Sequence, residues 1–97
     1  MTLHAIFPAL DRSADQRAAD AARHLGAQLI ATLSTARILI ETGREVDLAG
    51  AQDSVGQLCA RVLDLPPGIG LELRSLLIAV RTEVDRTSVA LDLRTTA

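Results

Sequence analysis

Two short breaks divide this 97-residue chain into three segments, and in each segment the apolar residues recur every three or four positions. The first break is Gly43, and the second is the pair Pro66 and Pro67. Apolar residues at this spacing indicate amphipathic helices, whereas glycine and proline mark the points where helices end. The pattern therefore predicts three helices joined by short connections.

The amino-acid composition favours the same fold class. Leu and Ala supply most of the apolar residues, Trp and Tyr are absent, and Phe7 is the single aromatic residue. Leu and Ala have high helix propensity, whereas strands are rich in β-branched and aromatic residues. A chain of this length forms one domain around one core. We therefore predict an all-α protein.

Capping signals set the predicted helix ends. Ser13 and Gln16 have the spacing of a capping box, Gly43 suits the left-handed position after a helix, and Asp47 is a good N-cap residue. Helices with such short connections run antiparallel, which predicts a three-helix up-down-up bundle with a long first helix. The predicted helices lie at about 13–42, 47–65 and 67–91.

These boundaries predict a single helical domain at 13–91, with a flexible N-terminal arm at 1–12 and a frayed C-terminal tail at 92–97. The apolar stripe of the first helix includes Ala22, Leu29 and Thr32, and that of the second includes Cys59. The stripe of the third helix contains one polar residue, Thr87, and its members are Leu73, Leu77, Val80, Val84, Thr87 and Leu91.

The charges argue against a nucleic-acid partner. The net charge is −2, all ten basic residues are Arg, and basic and acidic residues are interspersed along the chain. Binding to a duplex needs clustered positive charge, and binding to single strands needs aromatic side chains for stacking. The absence of Lys also excludes Schiff-base and P-loop lysine chemistry, and it is consistent with a GC-rich bacterial coding sequence.

The single cysteine, Cys59, allows no intramolecular disulfide and fits a reducing compartment. The N-terminal residues lack the basic and apolar regions of an export signal, and no apolar run is long enough to span a bilayer. We expect a cytoplasmic protein with Cys59 in its core. Two histidines and one cysteine give no usual ligand spacing, so we expect no metal and no cofactor.

The stretch LDLPPGIGLELRS, at 63–75, could be a phosphate-binding turn or a joint between helices. Gly68 and Gly70 lack the third glycine and the preceding strand of a dinucleotide-binding turn. The prolines also remove backbone donors that a phosphate would need. We therefore interpret the stretch as a joint.

Two alternative functions rest on other residues. A lone His24 on a helical bundle resembles the histidine phosphotransfer domain, although the residues that follow it do not match the motif His-x-Leu-Lys-Gly. A long helix followed by two shorter ones resembles, in outline, the chorismate mutase family, whose site uses Arg and Lys around a dianionic substrate. In this chain, that site would use Arg residues of the first helix, namely Arg12, Arg17, Arg23 and Arg37.

A surface for protein binding is the prediction that the apolar pattern favours most. Ile78 falls on the polar side of the third helix, beside Arg74, Arg81 and Asp85. Ile38 falls on the side of the first helix away from its main stripe, among small residues that would let another helix approach closely. The predicted surface consists of Ile38, Ile78, Ala27, Ala31 and Ser34.

The segment at 29–65 resembles the flagellar type III export chaperones of the FliT kind. The resemblance rests on Leu33, Ser34 and Leu39, followed by the turn at Gly43 and then by Asp47 and Leu48. It implies a small cytoplasmic helical protein that holds other proteins in exposed helical grooves. We therefore expect a non-catalytic adaptor or chaperone-like module that binds a protein partner or forms a homodimer.

Overall fold

The computed structural model describes residues 3 to 96, and within them the side chains from Ala14 to Thr95. This part of the chain contains helices and no strand, which confirms the all-α class. There are four helices rather than three, because the predicted third helix is divided in two. They are α1 (Leu3–Glu41), α2 (Ala49–Leu63), α3 (Pro67–Glu72) and α4 (Arg74–Thr96).

Both long helices extend beyond their predicted ends. Helix α1 begins at Leu3, so Ser13 lies inside it and does not cap it. Alanine is common on both sides of Ser13, and its high helix propensity outweighs the local capping signal. Helix α4 likewise continues to Thr96, through most of the predicted tail. The remaining residues of the predicted arm and tail, 1, 2 and 97, lie outside the described residues.

The turn after α1 follows its sequence signal at Gly43. Gly43 has a φ of 92°, and the Arg44 N–H donates to the Leu39 carbonyl at 2.9 Å while the Gly43 N–H donates to the Ile40 carbonyl at 3.1 Å. This pair of bonds is a Schellman motif, which satisfies the last carbonyls of α1. Helix α2 begins at Ala49 rather than 47, and its N-cap position is Leu48, whose side chain makes no capping bond, so the prediction of Asp47 as the N-cap is wrong. Asp47 lies one residue earlier, where its carboxylate accepts the Ala49 N–H at 3.0 Å.

The LDLPPGIGLELRS stretch forms the corner between α2 and α4, as the joint interpretation predicted. Pro66 is extended, with ψ at 144°, and Pro67 begins the short helix α3. The predicted continuous helix at 67–91 is wrong because Leu73 interrupts it, with φ at −89° and ψ at 1°. Leu73 is only 2% exposed, so this break turns a large side chain into the core between α3 and α4.

The core lies where α1 packs against α2 and α4. Helix α4 follows α1 in the same chain direction, since Leu76 covers Gly26, Thr87 reaches the Leu33 carbonyl and Arg94 reaches the Ile40 carbonyl. The molecule is elongated, with a longest dimension of 69 Å. The buried apolar residues are Ala19, Ala22, Leu29, Leu33, Ala36, Ile40, Leu58, Val62, Leu65, Leu73, Val80 and Ala90.

Two residues predicted for the core are exposed. Thr32 lies on the solvent side of α1, and Cys59 lies on the solvent side of α2. Helix α2 packs mainly on α1, so only a narrow stripe of it is covered, and the buried members of that stripe are Leu58 and Val62. Cys59 is one position from Leu58, about 100° around the helix, and is therefore outside the covered stripe.

Candidate interaction surface

The side of α4 opposite the core carries an apolar stripe, which we call the outer face of α4 and define by Ile78, Thr82, Val89 and Leu93. Ile78 and Val89 are eleven residues apart, close to three full turns, so they point in the same direction. Ile78 is 54% exposed, Val89 56% and Leu93 65%. The Thr82 hydroxyl donates to the Ile78 carbonyl at 2.9 Å and is therefore already satisfied within the helix.

An open groove of about 800 Å³ runs between α1 and α4. We call it the α1–α4 groove. Val89 and Leu93 of the outer face of α4 form part of its wall, together with the buried residues Ile40 and Ala90 at its floor. Residues of α2 do not line it. The groove therefore occupies the position where a further helix could pack against both α1 and α4.

Charged residues line the rest of the groove, and most of them are engaged within the chain. The Arg37 Nε lies 3.8 Å from the Glu83 Oε2, and the Arg86 guanidinium lies 3.4 Å from the Glu83 Oε1. Arg37 also pairs with Glu41 at 3.6 Å. The Glu83 side chain is only 12% exposed, and neither the Arg37 Nε nor the Glu83 Oε2 has a hydrogen-bond partner. Of these pairs, Arg37–Glu83 joins α1 to α4, whereas the other two lie within one helix.

Arg94 completes the far end of the groove. Its guanidinium donates to the Gly43 carbonyl at 2.6 Å and to the Ile40 carbonyl at 3.4 Å. It therefore caps the C-terminal end of α1, where free carbonyls attract positive charge.

The residues predicted on α1 form a second exposed face next to the groove. Ala27 and Ala31 are exposed, Ser34 is half-buried and Ile38 is 54% exposed. Ile38 is a helix neighbour of Glu41, which lines the groove. We call Ala27, Ala31, Ser34 and Ile38 the small-residue face of α1. None of the four lines the groove itself, and Ala31 lines an opening between α1 and the start of α2.

The two predicted isoleucines do not come together. Leu76 packs over Gly26, so Ile78 lies near that level of α1, ten or more residues before Ile38. At about 1.5 Å per residue, the two isoleucines are roughly 15 Å apart along the helix axes. Ile38 instead lies level with Val89 and Leu93, near the end where Arg94 meets Ile40.

Sequence reasoning identified Ile78 but missed Val89 and Leu93. The signal that could have found them is the spacing from Ile78, because a residue eleven positions later returns to the same side of a helix. Sequence reasoning missed them because it ended the third helix at residue 91, which put Val89 in the last turn and Leu93 outside the helix. The structure shows that α4 continues past that point to Thr96.

The other candidate residues lie apart from this surface. His24 is exposed on α1, with its Nε2 atom 3.2 Å from the Gln28 amide nitrogen. Its neighbours Asp20 and Arg23 pair with each other at 2.7 Å, as surface charges do. Arg17 is also exposed, and the side chain of Arg12 lies outside the described residues. His24, the residue named for phosphotransfer, therefore lies exposed beside Gln28, and Arg17 and Arg23, named for the enzyme alternative, lie on the same helix.

Two further properties concern the described part of the chain. Within it, no three residues of the types His, Cys, Asp and Glu are grouped so that they could hold a metal ion. None of its helices combines the length and the apolar character needed to cross a membrane.

Comparison with known proteins does not assign the chain to a group. Neither family models, nor curated proteins, nor solved structures gave a match.

Proposed function

We propose that this protein is a small, non-catalytic interaction module that binds another protein helix along the outer face of α4 and the α1–α4 groove. One observation carries the proposal. Three aliphatic side chains, Ile78, Val89 and Leu93, are each more than half exposed on a single face of one helix. Scattered exposed aliphatic residues are ordinary, but residues aligned on one helix face favour a helical partner, and two of these three, Val89 and Leu93, also line the α1–α4 groove.

The fold gives this surface a stable support. The proposal takes α1, α2 and α4 as an up-down-up arrangement, in which α2 covers one side of the α1–α4 pair and leaves the other side open. The small-residue face of α1 would let a docked helix approach closely, since Ala and Ser side chains are short. In this proposal the protein acts in the cytoplasm as an adaptor or chaperone-like module, as the resemblance to the FliT-like export chaperones implies.

A small helical enzyme is a weaker alternative. The groove does carry Arg37, Arg86 and Arg94, which an anionic substrate could use. However, Arg37 and Arg86 pair with Glu83, and Arg94 binds backbone carbonyls of α1. Glu41 and Asp85 add further negative charge to the lining. A dianion would therefore meet a surface of roughly balanced charge, which favours a protein partner instead.

The test places an acid on each apolar face and measures solution mass and helicity. Ile78→Asp and Ile38→Asp should remain folded by circular dichroism but should lose the association that the proposal expects of the wild-type chain. Leu63→Asp is the matched control, because Leu63 is 84% exposed on α2, a helix that contributes no residue to the outer face of α4 or to the groove. It should associate as the wild type does. Unchanged mass in both isoleucine variants would overturn the proposal.

A further inference from the structure

The charges on one flank of the outer face of α4 change sign at residue 83. Arg74 and Arg81 precede that position, whereas Asp85 and Asp92 follow it. Arg86 and Arg94 lie on other sides of the helix, where Arg86 pairs with Glu83 and Arg94 binds the Gly43 carbonyl. Viewed along the axis of α4, Arg81 and Asp85 lie on the same side of the apolar stripe, next to Ile78 and Val89. Arg74, Arg81 and Asp85 are exposed, and none of the three takes part in an ion pair of the described residues shown by the structure.

This arrangement is complementary to itself when the helix direction is reversed. Arg81 and Asp85 lie at equal distances before and after residue 83 along the helix, and so do Arg74 and Asp92. Ile78 and Val89 are centred between residues 83 and 84, within one residue of the same point. A second copy of α4 running in the opposite direction would therefore set Arg against Asp and aliphatic residues against aliphatic residues.

We propose that the occupant of the outer face of α4 is a second copy of this chain, bound antiparallel about a two-fold axis near residues 83 and 84. Ile78 contacts Val89 of the second copy, and Arg81 pairs with Asp85 of the second copy. The two-fold axis makes each contact twice, as in isologous dimers. This inference rests on the proposed function and names the partner at the same surface.

A parallel dimer through the same face does not use these charges. Its two-fold axis runs along the helices, so the flank that carries Arg81 and Asp85 lies on opposite sides of the interface in the two copies. No Arg–Asp pair then forms between the copies. The antiparallel arrangement places both flanks on the same side and forms an opposite-charge pair at each end of the interface.

The test uses charge reversal and mixing. Arg81→Asp alone and Asp85→Arg alone each set like charges together in the two-fold dimer, so each variant should dimerise about tenfold more weakly than the wild type. In a mixture of the two variants, the heterodimer has opposite charges at both pairs. The mixture should therefore dimerise about as tightly as the wild type. Sedimentation equilibrium on the separate and mixed samples measures this.

The double variant Arg81→Asp/Asp85→Arg provides a second measurement, because two copies of this variant again set opposite charges together at both pairs. It should dimerise as the wild type does, and circular dichroism should show all variants folded. If mixing restores nothing while Ile78→Asp still abolishes association, the antiparallel register is wrong and the interaction function stands. If Ile78→Asp and Ile38→Asp both leave the mass unchanged, both proposals are overturned.

Discussion

Gly26 shows how one residue sets the distance between two helices. A Cβ atom at this position would lie 2.6 Å from the Leu76 Cδ2 and 2.8 Å from its Cγ. No real Cβ tolerates such distances, so the absence of a side chain lets α4 approach α1 closely. Gly56 of α2 is a contrasting case, since a Cβ there would meet nothing within 4 Å.

We predict opposite effects of the same substitution at these two glycines. Gly26→Ala should lower the free energy of unfolding by about 1 kcal/mol, because overpacking outweighs the gain in helix propensity. Gly56→Ala should raise it by up to ~1 kcal/mol, since only the propensity changes. Urea denaturation of both variants measures the difference. In a Leu76→Ala background, Gly26→Ala should no longer cause overpacking, because the large side chain over position 26 is gone. If Gly26→Ala and Gly56→Ala change the free energy of unfolding in the same direction, the close contact between Gly26 and Leu76 is contradicted.

At the scale of single residues, sequence reasoning succeeded where the cause is local. Gly43 acts on backbone groups within a few positions, so its role could be inferred from sequence alone. Cys59 was different, since it was predicted for the core and is exposed. Whether a position on a helix is covered depends on the helix that lies across it, and the sequence does not specify that neighbour.

At the scale of elements, the mainly apolar interface between α1 and α4 also contains an ion pair. Arg37 of α1 and Glu83 of α4 lie 3.8 Å apart, with side chains that are 24% and 12% exposed. Removing Arg37 leaves the buried Glu83 Oε2 without the cation beside it, and an uncompensated buried charge is costly. Replacing both with apolar residues removes this penalty.

We therefore predict non-additive effects at this pair. Arg37→Met should lower the free energy of unfolding by about 1 to 3 kcal/mol, since Glu83 would keep only the exposed Arg86. Adding Glu83→Leu should recover most of that loss. A double-mutant cycle by urea denaturation gives the coupling. If the two single effects simply add, the ion pair does not link the helices.

The positions of the elements were only partly predictable. Gly43 and Pro66 mark the ends of helical segments correctly, because a break in helix geometry follows from those residue types. The division at Leu73 could not be predicted, since Leu is a strong helix former and nothing in its neighbours stops a helix. The break reflects tertiary packing, in which Leu73 is buried at the corner.

At the scale of the whole molecule, the elongated shape leaves much of α1 and α4 uncovered on one side. The core lies where α1 packs against α2 and α4, whereas the α1–α4 groove and the outer face of α4 remain exposed. The sequence indicated this excess of apolar surface through Ile38 and Ile78. It could not show that Val89 and Leu93 extend the surface along the groove.

The most direct test of the account is sedimentation equilibrium of the wild-type chain over a wide concentration range, with circular dichroism on the same samples. A contact through one helix pair buries limited surface, so we expect a reversible equilibrium between a monomer of 10.3 kDa and a dimer of twice that mass, with helicity retained in both. A single 10.3 kDa species up to millimolar concentration would contradict self-association through α4.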